Sequence, residues 1–203
     1  MSSEKQKGAR VREEEKLYEP IKNELESIFE RYVEKDKKQT VQPLPSLSPE
    51  KKNVYLEITY KKISDILKRI LDDDALYIQR VEGFFPDIMG FVRKEPSSPK
   101  ELITVEVKSI PIKIKHIERA KTYQDVFNAT YGLLVSSKGI PEEIRRFVSK
   151  RPRMRGNLII AEWHDIGMLQ THPALKPFIG LLRIHPDFEP YIPEPFKQFA
   201  KPL

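Results

Sequence analysis

The sequence predicts an α/β fold, a central mixed β-sheet flanked by helices, and three observations carry that prediction. Apolar residues near the N-terminus recur at helical spacing. Short β-rich runs occupy the middle of the chain. After them, helical and strand patterns alternate. At 203 residues the chain is long enough for one domain with a real core and too short for two comfortable ones, so decorations are expected rather than a second domain. Its 39% hydrophobic and 33% charged residues describe a globular, strongly solvated protein. No apolar run approaches the roughly 20 residues of a membrane span, and Met1 to Lys16 has no apolar segment resembling a secretory signal. A soluble, cytoplasmic protein with no membrane partner is the expectation.

The first element is a helix, because Leu17, Ile21, Leu25, Ile28, Phe29 and Tyr32 fall on one stripe at about 100° per residue. Pro20 either starts its regular part or kinks it. A polar, proline-containing loop follows from Glu34 to Ser48. Ser48-Pro49-Glu50 then reads as the cap, first-turn proline and early acid of a second helix through Ile63, Ile66, Leu67 and Ile70. Val54 to Tyr60 alternates, and a strand there is the other reading. Beyond Asp72, Asp73 and Asp74 a three-stranded meander is expected from Leu76 to Val81, Asp87 to Val92 and Leu102 to Val107. Ile117 to Asn128 reads as a helix, Tyr131 to Val135 as a buried strand, Pro141 to Ser149 as a short helix and Leu158 to Ala161 as a fifth strand. The proline-rich C-terminal tail carries one expected helix, Ala174 to Leu182, and is irregular after Pro186. Its aromatics, with Trp163, are expected to pack on the core. No internal repeat is apparent.

The chain has no cysteine, so disulfides, thiolate zinc sites and a cysteine nucleophile are excluded, and a metal would need oxygen or imidazole ligands. The four histidines show no short zinc-type spacing and receive no role. The net charge of +6 is a mild attraction for phosphates and also an ordinary solubility device.

One constellation carries chemistry. Phe84-Phe85-Pro86-Asp87-Ile88-Met89-Gly90 is followed, nineteen residues after Asp87, by Glu106-Val107-Lys108. Acid-x-Lys occurs four times, beginning at Glu14, Asp36, Glu50 and Glu106, but only the last sits in a β-type run that follows a Pro-Asp. The period of two puts Leu102, Thr104, Glu106 and Lys108 on one strand face and Ile103, Val105 and Val107 on the other. Two carboxylates on adjoining strands can hold a hard divalent ion through oxygen, with a lysine beside them.

This pattern resembles the PD-(D/E)XK nuclease superfamily, which includes restriction endonucleases, archaeal Holliday junction resolvases and RecB-type nuclease domains. The resemblance runs from about Glu14 to Ala161. It implies a restriction endonuclease-like core over residues 1–166, with a helical insertion at about 34–74 after the first helix and a C-terminal extension over 167–203. It implies a Mg2+-dependent (or Mn2+-dependent) deoxyribonuclease, an endonuclease acting on DNA. Asp87 and Glu106 would be metal ligands, the Val107 carbonyl a further ligand and Lys108 the catalytic cation. The alternative is a catalytically weak module of the same fold that binds nucleic acid or a protein partner.

The family also expects an acid on the first helix. Glu14 lies within about 20° of Ile21 and Leu25 on an ideal helix. If the helix begins at Pro20, Glu24 is the better candidate. Gln124, on the helix after the motif, is expected to reach the site or the DNA backbone. Lys113, Lys115, Arg119 and Lys121, then Arg145, Arg146, Arg151 and Arg153, are candidate phosphate contacts. Relatives in this superfamily are often homodimers, which makes a homodimer a further expectation.

Overall fold

The computed structural model describes residues 2–36, 52–95, 97–151, 156–164, 181–184 and 192–199. It is an α/β fold: a six-stranded mixed sheet with helices packed against it. The first helix, α1 (Ser2–Asp36), runs through Pro20. Proline costs one backbone hydrogen bond, to the carbonyl of Lys16. The stripe of Tyr18, Ile21, Leu25, Ile28, Phe29 and Val33, all nearly inaccessible to solvent, lets the helix continue across that defect.

The chain then departs from the expected helical insertion. The segment Val54–Ile58 is a strand, β1, with Val54 and Leu56 buried. Alternation won over the helical reading because Leu56 and Val54 complete the face that α1 covers. The helix expected through Ile70 shrinks to α2 (Asp65–Lys68), capped by Ser64, whose side chain accepts from the Leu67 amide. The proposed cap at Ser48 and Pro49 lies outside the described residues.

Leu76 to Val81 is not a strand. It belongs to α3 (Asp73–Glu82), and the local reason is its ends. Asp72 accepts a 2.7 Å hydrogen bond from the Ala75 amide, Asp73 and Asp74 occupy the first turn, and Gly83 closes the helix in the left-handed region at φ 62°. The acidic run, expected to precede a strand, starts a helix. Caps at both ends outweighed the β propensity of Tyr77, Ile78 and Val81, of which Tyr77 and Val81 stay exposed.

The next elements are β2 (Ile88–Val92), β3 (Glu101–Lys108), α4 (Ile114–Val126), β4 (Tyr131–Ser136), α5 (Glu142–Ser149) and β5 (Ile159–His164). The meander exists, but β1 replaces Leu76 to Val81 as its first strand: β1 and β2 are antiparallel, as are β2 and β3. β3, β4 and β5 are parallel, with Glu106 opposite Leu134 and Val135 opposite Ala161. A sixth strand, β6 (Leu181–Ile184), pairs antiparallel with β5. This corrects the helix expected from Ala174 to Leu182 at its last two residues; the others lie outside the described residues. Near the end, a 3-10 helix over Glu194–Phe199 replaces part of the expected irregular tail. It places Phe196 edge-on against Phe29 of α1, ring centroids 5.4 Å apart. Phe178, Phe188 and Tyr191 lie outside the described residues.

The sheet divides the apolar side chains. Ile88, Val92, Ile103, Val105 and Val107 join α1 in one cluster, while Met89, Phe91 and Leu102 meet Tyr123 and Phe127 from the α4 side. Gly90, opposite Leu56, has no room for a side chain: a Cβ there would sit 1.9 Å from the Tyr55 carbonyl oxygen. Gly90→Ala must push β1 away, so a loss of about 2–3 kcal/mol is expected, read as a lower urea midpoint. An unchanged midpoint would show that β1 moves aside at no cost.

Candidate active site

The antiparallel pairing of β2 with β3 brings the start of one strand beside the end of the other, and Asp87, Glu106 and Lys108 stand there. Asp87 is fixed through its backbone: its amide donates to the Val105 carbonyl at 3.0 Å, and its carbonyl accepts from Thr59 at 2.9 Å. The buried Thr59 hydroxyl donates to the Pro86 carbonyl at 2.7 Å, so the residue after β1 clamps the Pro-Asp pair. The Asp87 carboxylate accepts from the Tyr18 hydroxyl at 2.9 Å and from the Val107 amide at 2.7 Å.

Glu106 is 1% exposed, and neither carboxylate oxygen accepts a well-formed hydrogen bond. The Lys108 ammonium lies 2.9 Å from Oε1 and the Arg119 Nε 3.4 Å from the same atom, but as close charges rather than aligned donors. Burial, then the neighbouring Asp87 charge, pushes the Glu106 carboxyl up to about 7, against the pull of Lys108 and Arg119.

Lys108 is the centre of the arrangement. Its Nζ donates to the Val107 carbonyl at 2.7 Å and lies 2.9 Å from Glu106, 3.4 Å from Glu14 and 3.9 Å from Asp87. Burial alone would lower the lysine's pKa, yet Glu106, Asp87 and Glu14 outweigh it and raise it, so the side chain is held charged. Because α1 continues through Pro20, Glu14 is helical and reaches the cluster, its Oε1 also accepting from the Ser109 amide at 3.4 Å. Glu24 instead pairs with Arg31 at 3.6 Å on the outer reach of the same helix.

Other candidate residues lie elsewhere. Gln124 is buried, packed so closely on β4 that a Cβ at Gly132 would lie 2.7 Å from its Cδ, and its amide bonds neither the carboxylates nor Lys108. The side chain turns inward over Gly132, where no side chain excludes it, and the expected reach to the carboxylates or Lys108 is not made. Arg119 is half exposed, and its guanidinium donates to the Tyr123 hydroxyl at 2.9 and 2.6 Å while facing Glu106. Lys113 and Lys115 are exposed at the start of α4, and Lys121 pairs with Asp125. Arg146 pairs with Glu142 on α5, next to Arg145, and Arg151 lies over the Phe147 ring. Arg153 lies outside the described residues.

No protein-family model, no curated protein and no solved structure matches this chain. Two residues escaped the sequence reading. Tyr18 follows Glu14 by one helical turn, a spacing that would have placed both on one face. Thr59 gave no local signal, because its role comes from strand pairing.

The donor set suits a hard divalent ion. Both Glu106 oxygens are buried without a well-formed hydrogen bond, Asp87 is oriented by donors that leave further lone pairs, and the Val107 carbonyl, which accepts from the Lys108 ammonium, adds a further oxygen beside them.

His116, which the sequence left without a role, is a buried neutral imidazole whose Nδ1 accepts from the Lys113 amide at 3.2 Å. Burial, reinforced by Lys108 and Lys115, lowers its pKa to about 4. Because the folded pKa lies below the unfolded value near 6.5, its contribution is complete above pH 6.5 and is lost as pH falls toward 4. Up to about 3 kcal/mol is at stake. Urea midpoints of wild type and His116→Gln at pH 7 and 4.5 test this: the variant should be the less pH-sensitive protein, and parallel slopes would exclude the assignment.

Proposed function

We propose that this chain is a metal-dependent deoxyribonuclease with a restriction endonuclease-like core of the PD-(D/E)XK type, cutting within DNA. One observation carries the reading: a buried lysine ammonium stands among the Glu14, Asp87 and Glu106 carboxylates and the Val107 carbonyl, at the meeting point of two strand ends. Four charged groups held this close and largely away from water need one another as partners, and such clusters concentrate at functional sites.

Asp87, Glu106 and the Val107 carbonyl would hold Mg2+ or Mn2+. When bound, the ion makes water more acidic and neutralises charge developing on the phosphate. Tyr18 and the Val107 amide keep the Asp87 carboxylate aimed without moving, which is preorganisation. Lys108 stays protonated in its acidic surroundings and supplies a fixed positive charge to the phosphorus oxygens. Arg119, exposed on one side and facing Glu106 on the other, offers its free edge to a phosphate. Glu14 anchors the lysine from the helix side.

A second reading, a binding module of the same fold without effective catalysis, is favoured by one feature. Among the described residues no three His, Asp or Glu side chains stand close enough to share an ion as they are placed. Under the first reading Lys108 must yield part of its position to the metal.

The purified protein is to be incubated with duplex, single-stranded and branched DNA, with Mg2+, Mn2+ or EDTA. Metal-dependent cutting supports the enzyme. DNA binding without cutting under any condition supports the module and removes the enzyme.

A further inference from the structure

A cavity adjoins the carboxylate cluster. A cleft of about 270 Å³ opens at the carboxyl ends of the parallel strands β3, β4 and β5, against the first half of α1. Ligands of open α/β sheets gather at such strand ends. One wall is apolar, from Leu17 and Pro20 of α1 and Trp163 of β5. The opposite wall is polar, with Ser109 and Ser137 and the exposed cations Lys16 and Lys138, which make no ion pair among the described residues.

Ser109 is the informative residue. It is 5% exposed, lines the cleft, and its hydroxyl has no hydrogen-bond partner, while its amide donates to Glu14 of the cluster. A buried hydroxyl without a partner is costly, and a ligand acceptor in the cleft would satisfy it. The cleft is therefore tied to the candidate active site through one residue.

We propose that this cleft binds the nucleotide adjoining the phosphodiester at Lys108. Its phosphate is held by the Ser109 hydroxyl, Lys16 and Lys138, and its sugar and base lie along Leu17, Pro20 and Trp163. The cleft volume suits a single nucleotide rather than a stretch of backbone. Glu13 stands on the rim of the cleft. The proposal deepens the nuclease reading and rests on it for the polymer to which the nucleotide belongs.

Trp163 is the only tryptophan in the chain, so intrinsic fluorescence reports on this cleft directly. In EDTA, thymidine 3′,5′-bisphosphate is titrated into wild type, Ser109→Ala and Lys16→Ala/Lys138→Ala, with equilibrium dialysis of the radiolabelled compound alongside. Inorganic phosphate is the comparison ligand. Saturable binding by wild type is expected, weakened at least about tenfold in the double variant and for inorganic phosphate, and less strongly in Ser109→Ala. No binding by dialysis overturns the proposal, as does equal affinity in the double variant or equal affinity for inorganic phosphate. The two readings fail separately. Bisphosphate bound by a protein that never cuts DNA leaves the cleft standing without the nuclease; DNA cut by a protein that ignores the bisphosphate does the reverse.

Discussion

Asp87→Asn is expected to lower the rate of metal-dependent DNA cleavage by roughly a hundred- to a thousandfold with little loss of stability. The substitution keeps the shape of the side chain. Its remaining oxygen can still accept from the Val107 amide, and its new NH2 can donate to the Tyr18 hydroxyl, which then acts as acceptor. What disappears is the negative charge facing Lys108 and the ion. The two effects separate in one experiment: initial rates on labelled DNA in Mg2+ or Mn2+, with a urea titration of the same samples. Wild-type cutting by the variant would remove Asp87 from the mechanism. A collapsed urea midpoint would instead show that its role is structural.

Lys108→Met carries the second large effect, and here stability and activity should fall together. The side chain is 11% exposed and faces three carboxylates, so its loss leaves Glu106 in a buried site without its closest opposite charge. Breaking a buried pair by removing one partner costs several kcal/mol, and about 3 kcal/mol is expected at pH 8. Cleavage should drop at least about a hundredfold, since the fixed charge on the phosphate is gone. The double variant Lys108→Met/Glu106→Gln discriminates between causes: neutralising the stranded acid should restore most of the stability and none of the activity. Equal urea midpoints for the single and double variants would mean that methionine packing, rather than an uncompensated charge, sets the loss.

These expectations depend on how charge is arranged around one ammonium, and that arrangement explains why the site was only partly legible. The alternation in Leu102 to Lys108 put Glu106 and Lys108 on one face, and the Pro-Asp before the preceding run supplied the partner strand. The period of two fixes side-chain direction from local covalent geometry alone, so nothing distant was needed. Whether Glu14 or Glu24 served the site was open, because a proline's effect on a helix depends on what packs behind it. The burial of Tyr18, Ile21 and Leu25 carries α1 through Pro20 and so puts Glu14, not Glu24, beside Lys108. Gln124 shows the opposite outcome. Its position on α4 was read correctly, but its direction followed from the empty space over Gly132, a residue on another element.

The fold divides in the same way. Apolar periodicity in the sequence determined α1, β2, β3, α4, β4, α5 and β5, because each buries a face or stripe that its own residues define. Tertiary structure alone decided that Val54–Ile58 would pair beside β2, that Leu181–Ile184 would extend the sheet past β5, and that Thr59 would clamp Asp87. Edge pairing and long-range hydrogen bonds are formed between backbone groups that every residue carries, so they leave little trace in side-chain pattern. The identities of the acid, the second acid and the lysine were written in the chain; their convergence on one point came from strands that met only when folded.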